Sequence, residues 1–299
     1  MPNVRRSFLL LHLIVFIWGF TGILGKLISL GSYQLTWYRT ILAASGILVW
    51  LLFKRKSLRI TGNAFLKFAG VGAIIALHWI TFYEAIKVSN VSVALACFSC
   101  GALFAAFIEP FFFRRRIRLY EIFFGAIVIV CLWMISNVEA KYTWGILLSI
   151  VAAFTSALFG VLNGLLVKKH DAGVISFYEL LAGFGIMTIF LLVTGDLEAG
   201  KIAMSAADLG WLLTLSLVCT SFTFVTSVSI MKEISPYTLV LTVNLESVYS
   251  IILAYFIFGD EEKMSLTFYL CTVVIIATVL ANGWFRQRME RIKNGPAAS

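Results

Sequence analysis

Of the 299 residues, 61% are hydrophobic and 13% charged, and the mean hydropathy is +0.95, whereas about a quarter of a typical soluble domain is charged. A soluble chain of this size could not hide so much apolar surface. The net charge of +9 does not read as a nucleic-acid footprint, which needs Lys and Arg on an exposed, aromatic-bearing face; here the basic residues gather at the ends of apolar runs.

Ten such runs fill the chain, at residues 8–30, 33–53, 65–86, 89–113, 119–136, 143–167, 174–194, 207–231, 237–258 and 265–285. Each is close to the roughly twenty helical residues that cross a hydrocarbon core about 30 Å thick. An all-α polytopic membrane protein with ten transmembrane helices is therefore expected. The opening Arg5-Arg6-Ser7-Phe8 resembles a basic signal region, but the run after it is long enough to span and shows no small-x-small cleavage site. It is read as the uncleaved first span.

With the N-terminus placed in the cytoplasm, Arg5/Arg6, Lys54/Arg55/Lys56/Arg59/Lys67, Arg114/Arg115/Arg116/Arg118, Lys168/Lys169, Lys232 and Arg286/Arg288/Arg291/Lys293 fall inside. Only Lys87, Lys141, Lys201 and Lys263 fall outside. The positive-inside rule then predicts both termini to be cytoplasmic. The expected location is a multi-pass position in the cell membrane, the inner membrane if the source is Gram-negative.

Along the first half, Lys26 and Arg39 sit in the outer parts of spans 1 and 2, with Glu84 near the outer end of span 3. They could form an outer gate of ion pairs, although Lys26 is long enough to snorkel to the interface. Arg39 is expected in a gate or bracing a helix pair. On span 3, His78 could relay a proton, or be an ordinary buried histidine. With Trp18 on span 1, Trp79 and Tyr83 are the aromatics favoured for a cavity wall; the 26 Phe are read mostly as packing and lipid-facing surface. Cys97 and Cys100 form a CxxC on span 4. With no second CxxC or His pair, packing is preferred to a metal or redox site. No disulfide, metal or other cofactor is expected from the five cysteines, all within spans. Glu109 is expected to pair with Arg114 to Arg116.

In the second half, Ser156, Gly160 and Gly164 on span 6 form a small-residue ridge for close helix approach, with Asn163 a candidate cavity residue. Glu179 near the inner end of span 7 is the counterpart of Arg39. Span 8 carries a hydroxyl stripe of Ser216, Thr220, Thr223 and Ser227. Span 9 places Thr242, Glu246 and Ser250 at i, i+4 and i+8, with Tyr249 adjacent. An acid at mid-membrane must find a partner or water, so Glu246 is read as a substrate or proton site, with a structural hydrogen-bonded role as the alternative. The hydroxyls could equally bond back to their own helices.

Dividing the chain near Lys141 leaves five spans on each side, and an odd number forces the second set to run upside down. Trp37-Tyr38-Arg39 matches Phe177-Tyr178-Glu179, and Ser89-Asn90-Val91-Ser92 through Phe113 matches Ser235-Pro236-Tyr237-Thr238 through Gly259. Two inverted five-helix repeats, residues 1–140 and 141–299, are a transporter architecture with substrate bound near the midplane.

Ser235-Pro236, Leu245-Glu246 and Phe258-Gly259-Asp260-Glu261, with Trp18-Gly19, Lys26, Arg39 and Glu109-Pro110, resemble the two repeats of the EamA group of drug/metabolite transporters. Ser247 stands where that group usually has proline after the glutamate, which puts a kink in span 9 in doubt, and Asp260 replaces a usual glutamate. The resemblance implies a basket-like exporter of amino acids or other small metabolites, with helices 3, 4, 8 and 9 around a central cavity. The expected partners are a small-molecule substrate and the lipid bilayer, with protons a candidate coupling ion and no nucleic acid; the oligomeric state is open. No Walker A loop, HExxH or GxSxG is present, so an enzyme is not expected. An importer or a nucleotide-sugar antiporter, a membrane enzyme with catalytic groups at headgroup level, and a receptor with a closely packed centre are the alternatives.

Overall fold

The computed structural model describes residues 2–114, 117 and 119–294, with the side-chain surroundings of 2–4, 199, 286, 287 and 289–294 left aside. Arg115, Arg116 and Arg118 and the side chains of Arg286, Arg291 and Lys293, used above for orientation, lie outside the described residues.

The ten apolar runs are ten membrane-length helical segments: α1 Arg5–Leu27, α2 Ser32–Phe53, α3 Gly62–Val88, α4 Val91–Phe113, α5 Leu119–Val138, α6 Ala140–Leu166, α7 Ala172–Thr194, α8 Ala206–Ile230, α9 Pro236–Glu262 and α10 Leu266–Phe285. Helices are the expected solution because hydrocarbon offers backbone N–H and C=O groups no partner. Several ends are set by local chemistry. The side chains of Thr61, Asn90, Asp171 and Ser235 accept backbone N–H bonds at the starts of α3, α4, α7 and α9. Ser205 and Asp208 form a reciprocal capping box at α8. Gly195, at φ +72°, ends α7 in a conformation that a side chain would disfavour.

Three helices depart from regularity. α1 breaks at Gly19–Phe20 between Trp18 and Thr21. α4 is interrupted at Ser99–Cys100. α8 opens into a π-helical stretch at Thr214–Phe222. In contrast, α9 is an uninterrupted α-helix from Pro236 to Phe258, so no break occurs where Ser247 replaces the usual proline.

Helix packing follows the two-repeat division. α3 packs on α6 and α7, and α8 packs on α1 and α2; α4 meets α6 as α9 meets α1; α2–α7, α4–α9 and α5–α10 pair across the repeats. Exchanging each helix for the one five places away leaves this pattern unchanged. Glycines mark matching approaches: a Cβ on Gly22 would meet Val91 and Leu95 of α4, and one on Gly164 would meet Pro236 of α9. The repeats are thus inverted copies that share one core. Large apolar side chains such as Phe111, Val193, Phe256 and Leu266 remain exposed, as a lipid-facing surface requires.

Candidate substrate cavity

A cavity of about 80 Å³ lies among α1, α2, α3, α4, α6, α8 and α9, smaller than the usual range of about 300–1,000 Å³ for small-molecule sites, so a ligand would need these helices to part. More helices line it than the four implied by resemblance alone. Its walls are largely aromatic: Trp18, Trp79, Phe82, Phe98, Phe159 and Phe224. It runs from Arg39 and Glu246 to Met231 and Leu239, which stand near the ends of α8 and α9 on the face where α1 begins.

Arg39 is 3% exposed. Its Nε donates to Thr220 Oγ1 at 2.8 Å and its Nη1 to the Tyr83 hydroxyl. The guanidinium carbon lies 4.1 Å from the Trp79 ring centroid, a cation–π arrangement. These bonds use Nε and Nη1, and Arg39 lines the cavity. The π-helical stretch is what supplies the acceptor: Thr220 Oγ1 donates its own proton to the carbonyl of Leu215, five residues back, at 2.7 Å, and so turns its lone pairs to Arg39.

Glu246 is 6% exposed. Its Oε1 accepts a hydrogen bond from Thr21 Oγ1 at 3.1 Å, and Thr21 is placed there by the break in α1. Its second oxygen is free for a ligand. Arg39 and Glu246 interact electrostatically, yet among the described residues neither belongs to an ion pair.

The other residues singled out from the sequence divide. Trp18, His78, Trp79, Thr220 and Ser227 line the cavity with Arg39 and Glu246. His78 Nδ1 donates to the Ala152 carbonyl at 2.9 Å, since a carbonyl can only accept. Tyr83 is fully buried behind the wall as a partner of Arg39. Thr223 donates to the Cys219 carbonyl, Thr242 to that of Thr238, and neither reaches the cavity. Ser250 donates to the free carbonyl of Gly19 at 2.7 Å, and Tyr249 packs on the same break, where a Cβ on Gly19 would come within 2.8 Å of it.

The charged residues read as gates also have specific partners. Lys26 pairs with Glu261 at 2.9 Å and Glu262 at 3.0 Å, with its chain only partly exposed. Glu262, fully buried, also accepts from the backbone N–H groups of Val91 and Ser92, so it caps α4. Glu84 accepts from Ser32. Glu179 accepts from Asn163 and lies off the cavity wall. On the same face, Ser29 binds Asp208 through both its N–H and its hydroxyl, and Lys87 donates to the Ile28 carbonyl. These ties join α1, α3, α4, α8 and α9 on the face opposite the one where α1 begins.

Phe82, Phe98, Phe159 and Phe224, as well as Thr21, were not marked by the sequence. A cavity phenylalanine has the same local signature as a lipid-facing one, and Thr21 acquires its role only across the break in α1.

Comparison with known families matches this chain to the EamA-like transporter family over residues 5–137 and again over 143–284. The chain belongs to the EamA-like transporter family. The two matches correspond to α1–α5 and α6–α10, so the EamA protein is a multi-pass transporter of the cell membrane, in a family of carriers rather than enzymes. It is similar to an uncharacterized transporter of Archaeoglobus fulgidus, 25% identical over 234 residues that cover 74% of this chain and 78% of the relative. A solved crystal structure shares the fold, with a TM-score of 0.70 at 14% identity, covering 96% of this chain and 99% of that one.

Proposed function

We propose that this EamA-family transporter carries a small zwitterion with an apolar body, of the amino-acid type, by alternating access between two five-helix units, residues 1–140 and 141–299. The observation that carries the reading is the presence of one buried guanidinium and one buried carboxyl group, Arg39 and Glu246, on the wall of the same aromatic cavity, electrostatically coupled yet, among the described residues, without a direct ion pair for either. A charge held in low dielectric without a counter-charge in direct contact is costly. A ligand with an anionic and a cationic end would offset both costs at once, and the rings would cover its side chain.

Lys26–Glu262 and Ser29–Asp208 tie the helices together beyond the cavity's polar end, and its lining extends to Met231 and Leu239 toward the opposite face. The positive-inside rule predicts that face to be cytoplasmic, so loading from inside, and with it export, is the proposed direction. A nucleotide sugar fits less well, because its diphosphate would meet a single guanidinium here.

The test is counterflow by purified protein in liposomes, comparing amino acids with their N-acetyl and carboxamide derivatives. Wild-type protein is expected to exchange the zwitterions, and blocking either end should reduce exchange. Glu246→Gln and Arg39→Met should each abolish it while thermal unfolding stays cooperative. Equal movement of blocked and free compounds would overturn the zwitterion reading.

A further inference from the structure

Glu179 on α7 is fully buried, and the cavity does not use it. Its neighbour Asn163 on α6 does line the cavity. Asn163 Nδ2 donates to Glu179 Oε2 at 3.2 Å. The remaining oxygen of each group, Glu179 Oε1 and Asn163 Oδ1, is buried without a partner.

The chemistry of the two groups explains this pair of orphans. A carboxylate only accepts, whereas a carboxylic acid adds one O–H donor; a primary amide both donates and accepts. Side by side, an acid and an amide can close a ring of two hydrogen bonds, N–H to the acid carbonyl and O–H to the amide carbonyl. One proton on Glu179 Oε1 would therefore satisfy both orphan oxygens. The ionised form would leave both oxygens as buried acceptors without a donor, in a site where each unmet polar group costs about 1–3 kcal/mol.

Among the described residues, Glu179 belongs to no ion pair. On the helices packed against α7, Arg39 of α2 is held by Thr220 and Tyr83, and on α3 His78 binds Ala152, Glu84 binds Ser32, Lys87 binds Ile28 and Lys67 is exposed. On α8, Asp208 binds Ser29, and Cys219 faces the cavity. On α7 itself, Tyr178 donates to the Leu58 carbonyl. What α3 presents to Glu179 is backbone: a Cβ on Gly72 would lie 2.2 Å from the Glu179 carbonyl oxygen.

The repeat relation points the same way. One position before Gly22, Thr21 of α1 donates to the carboxyl of Glu246. One position before its structural counterpart Gly164, Asn163 of α6 donates to the carboxyl of Glu179. The first repeat's donor serves the cavity carboxyl, and the second's reaches a carboxyl hidden behind the wall.

We propose that Glu179 is a proton-carrying site, closed by Asn163 in the state seen here and exchanging its proton with cavity water when the α6–α7 pair opens. The proton leaves Oε1 for water as the pair separates and returns as it closes, so no other reactant is needed. The role of that proton in turnover rests on the carrier reading above; the existence of the site does not.

Two readouts separate those levels. Difference infrared spectroscopy of the protein in liposomes, titrated from about pH 5 to 9, reports the C=O stretch of a protonated carboxylic acid. That band should be present in wild type near neutral pH, missing in Glu179→Gln and shifted in Asn163→Leu. Glu179→Gln keeps an acceptor for Asn163 Nδ2 and brings an N–H donor for Asn163 Oδ1, so it should fold. Identical spectra in wild type and Glu179→Gln would overturn the proposal. In the same liposomes, accumulation of amino acids driven by a proton gradient should be lost in Glu179→Gln; retained accumulation would sink the coupling role. If wild type itself moves no solute with or without a gradient, the carrier reading fails, and the infrared band alone decides the proton site.

Discussion

Thr220 accepts the Nε hydrogen bond of Arg39 at 2.8 Å because its own proton is spent on the carbonyl of Leu215, five residues earlier. The π-helical stretch Thr214–Phe222 thus acts on the candidate site by aiming one hydroxyl. Such irregular turns inside helices are often found at functional positions.

Replacing Thr220 by Val keeps the shape and removes the acceptor. A buried hydrogen bond to a charged group contributes about 1.5–3 kcal/mol, so Thr220→Val should weaken zwitterion binding about tenfold or more. Equilibrium binding to the purified protein checks this; unchanged affinity would mean that Tyr83 and Trp79 suffice to place the guanidinium.

Lys26 and Glu262 hold α1 to the junction of α4 and α9. Lys26→Met leaves Glu262 buried with only backbone donors, which should loosen this end of the cavity. Cys219, 3% exposed on the cavity wall, is a natural reporter once the other four cysteines are replaced. Its labelling by an impermeant thiol reagent from the Lys26 side should rise about tenfold, which corresponds to about 1.4 kcal/mol of lost closure. A rate equal to that of the parent would show that Ser29–Asp208 holds the end shut alone.

Close helix contacts predict a graded alanine series. A Cβ on Gly72 would lie 2.2 Å from a backbone oxygen of α7, and one on Gly164 would lie 2.1 Å from the ring of Pro236, whereas one on Gly70 would meet nothing within 4 Å. Gly72→Ala and Gly164→Ala should each lower the unfolding midpoint by several degrees, since overpacking costs about 1–3 kcal/mol, with Gly70→Ala unchanged or slightly raised. Thermal melts in detergent would decide, and a neutral Gly72→Ala would refute the α3–α7 approach.

Asp171 caps α7 between two spans. Partial burial pushes its carboxyl up, but the Lys56 ammonium at 2.9 Å and the N–H groups of Val174 and Gly173 outweigh this and hold it below the usual carboxylate range. The folded state therefore favours the ionised form. Its stabilisation is present above about pH 3.9, the ordinary aspartate value, and is lost as pH falls through the lower folded value. The melting difference between wild type and Asp171→Asn should be constant near neutral pH and shrink below about pH 4. A difference that grows on acidification would contradict the sign.

Orientation predicts that reporter fusions within 54–61 and 167–171 read cytoplasmic and those within 195–205 read exterior. The reverse pattern would exchange the two faces and turn the proposed export into uptake.

Hydropathy located all ten spans within a few residues, and the odd count per half implied inversion, because both follow from local properties: apolar run length and the chain's obligation to cross the membrane each time. Glu246, Arg39, His78 and Trp79 could be singled out because a charge, imidazole or indole at mid-span is rare enough to demand a reason. Ser250 and Thr242 share a helix face with Glu246 on paper, yet the first is drawn to the open carbonyl of Gly19 and the second to its own helix. Only packing could settle which hydroxyls are spent on backbone carbonyls.

By itself, the sequence determined that this chain lives in a bilayer as two inverted sets of five helices, since a hydrophobic span declares itself residue by residue. The tertiary structure alone decided that Arg39 and Glu246 meet across one cavity while Lys26 turns to Glu262 and Glu179 to Asn163. These pairings join residues from 16 to 236 positions apart in the chain, and a breach in α1 and a π stretch in α8 set the angles at which they meet. Such angles arise from helix against helix, where a single helix carries no record of its neighbour.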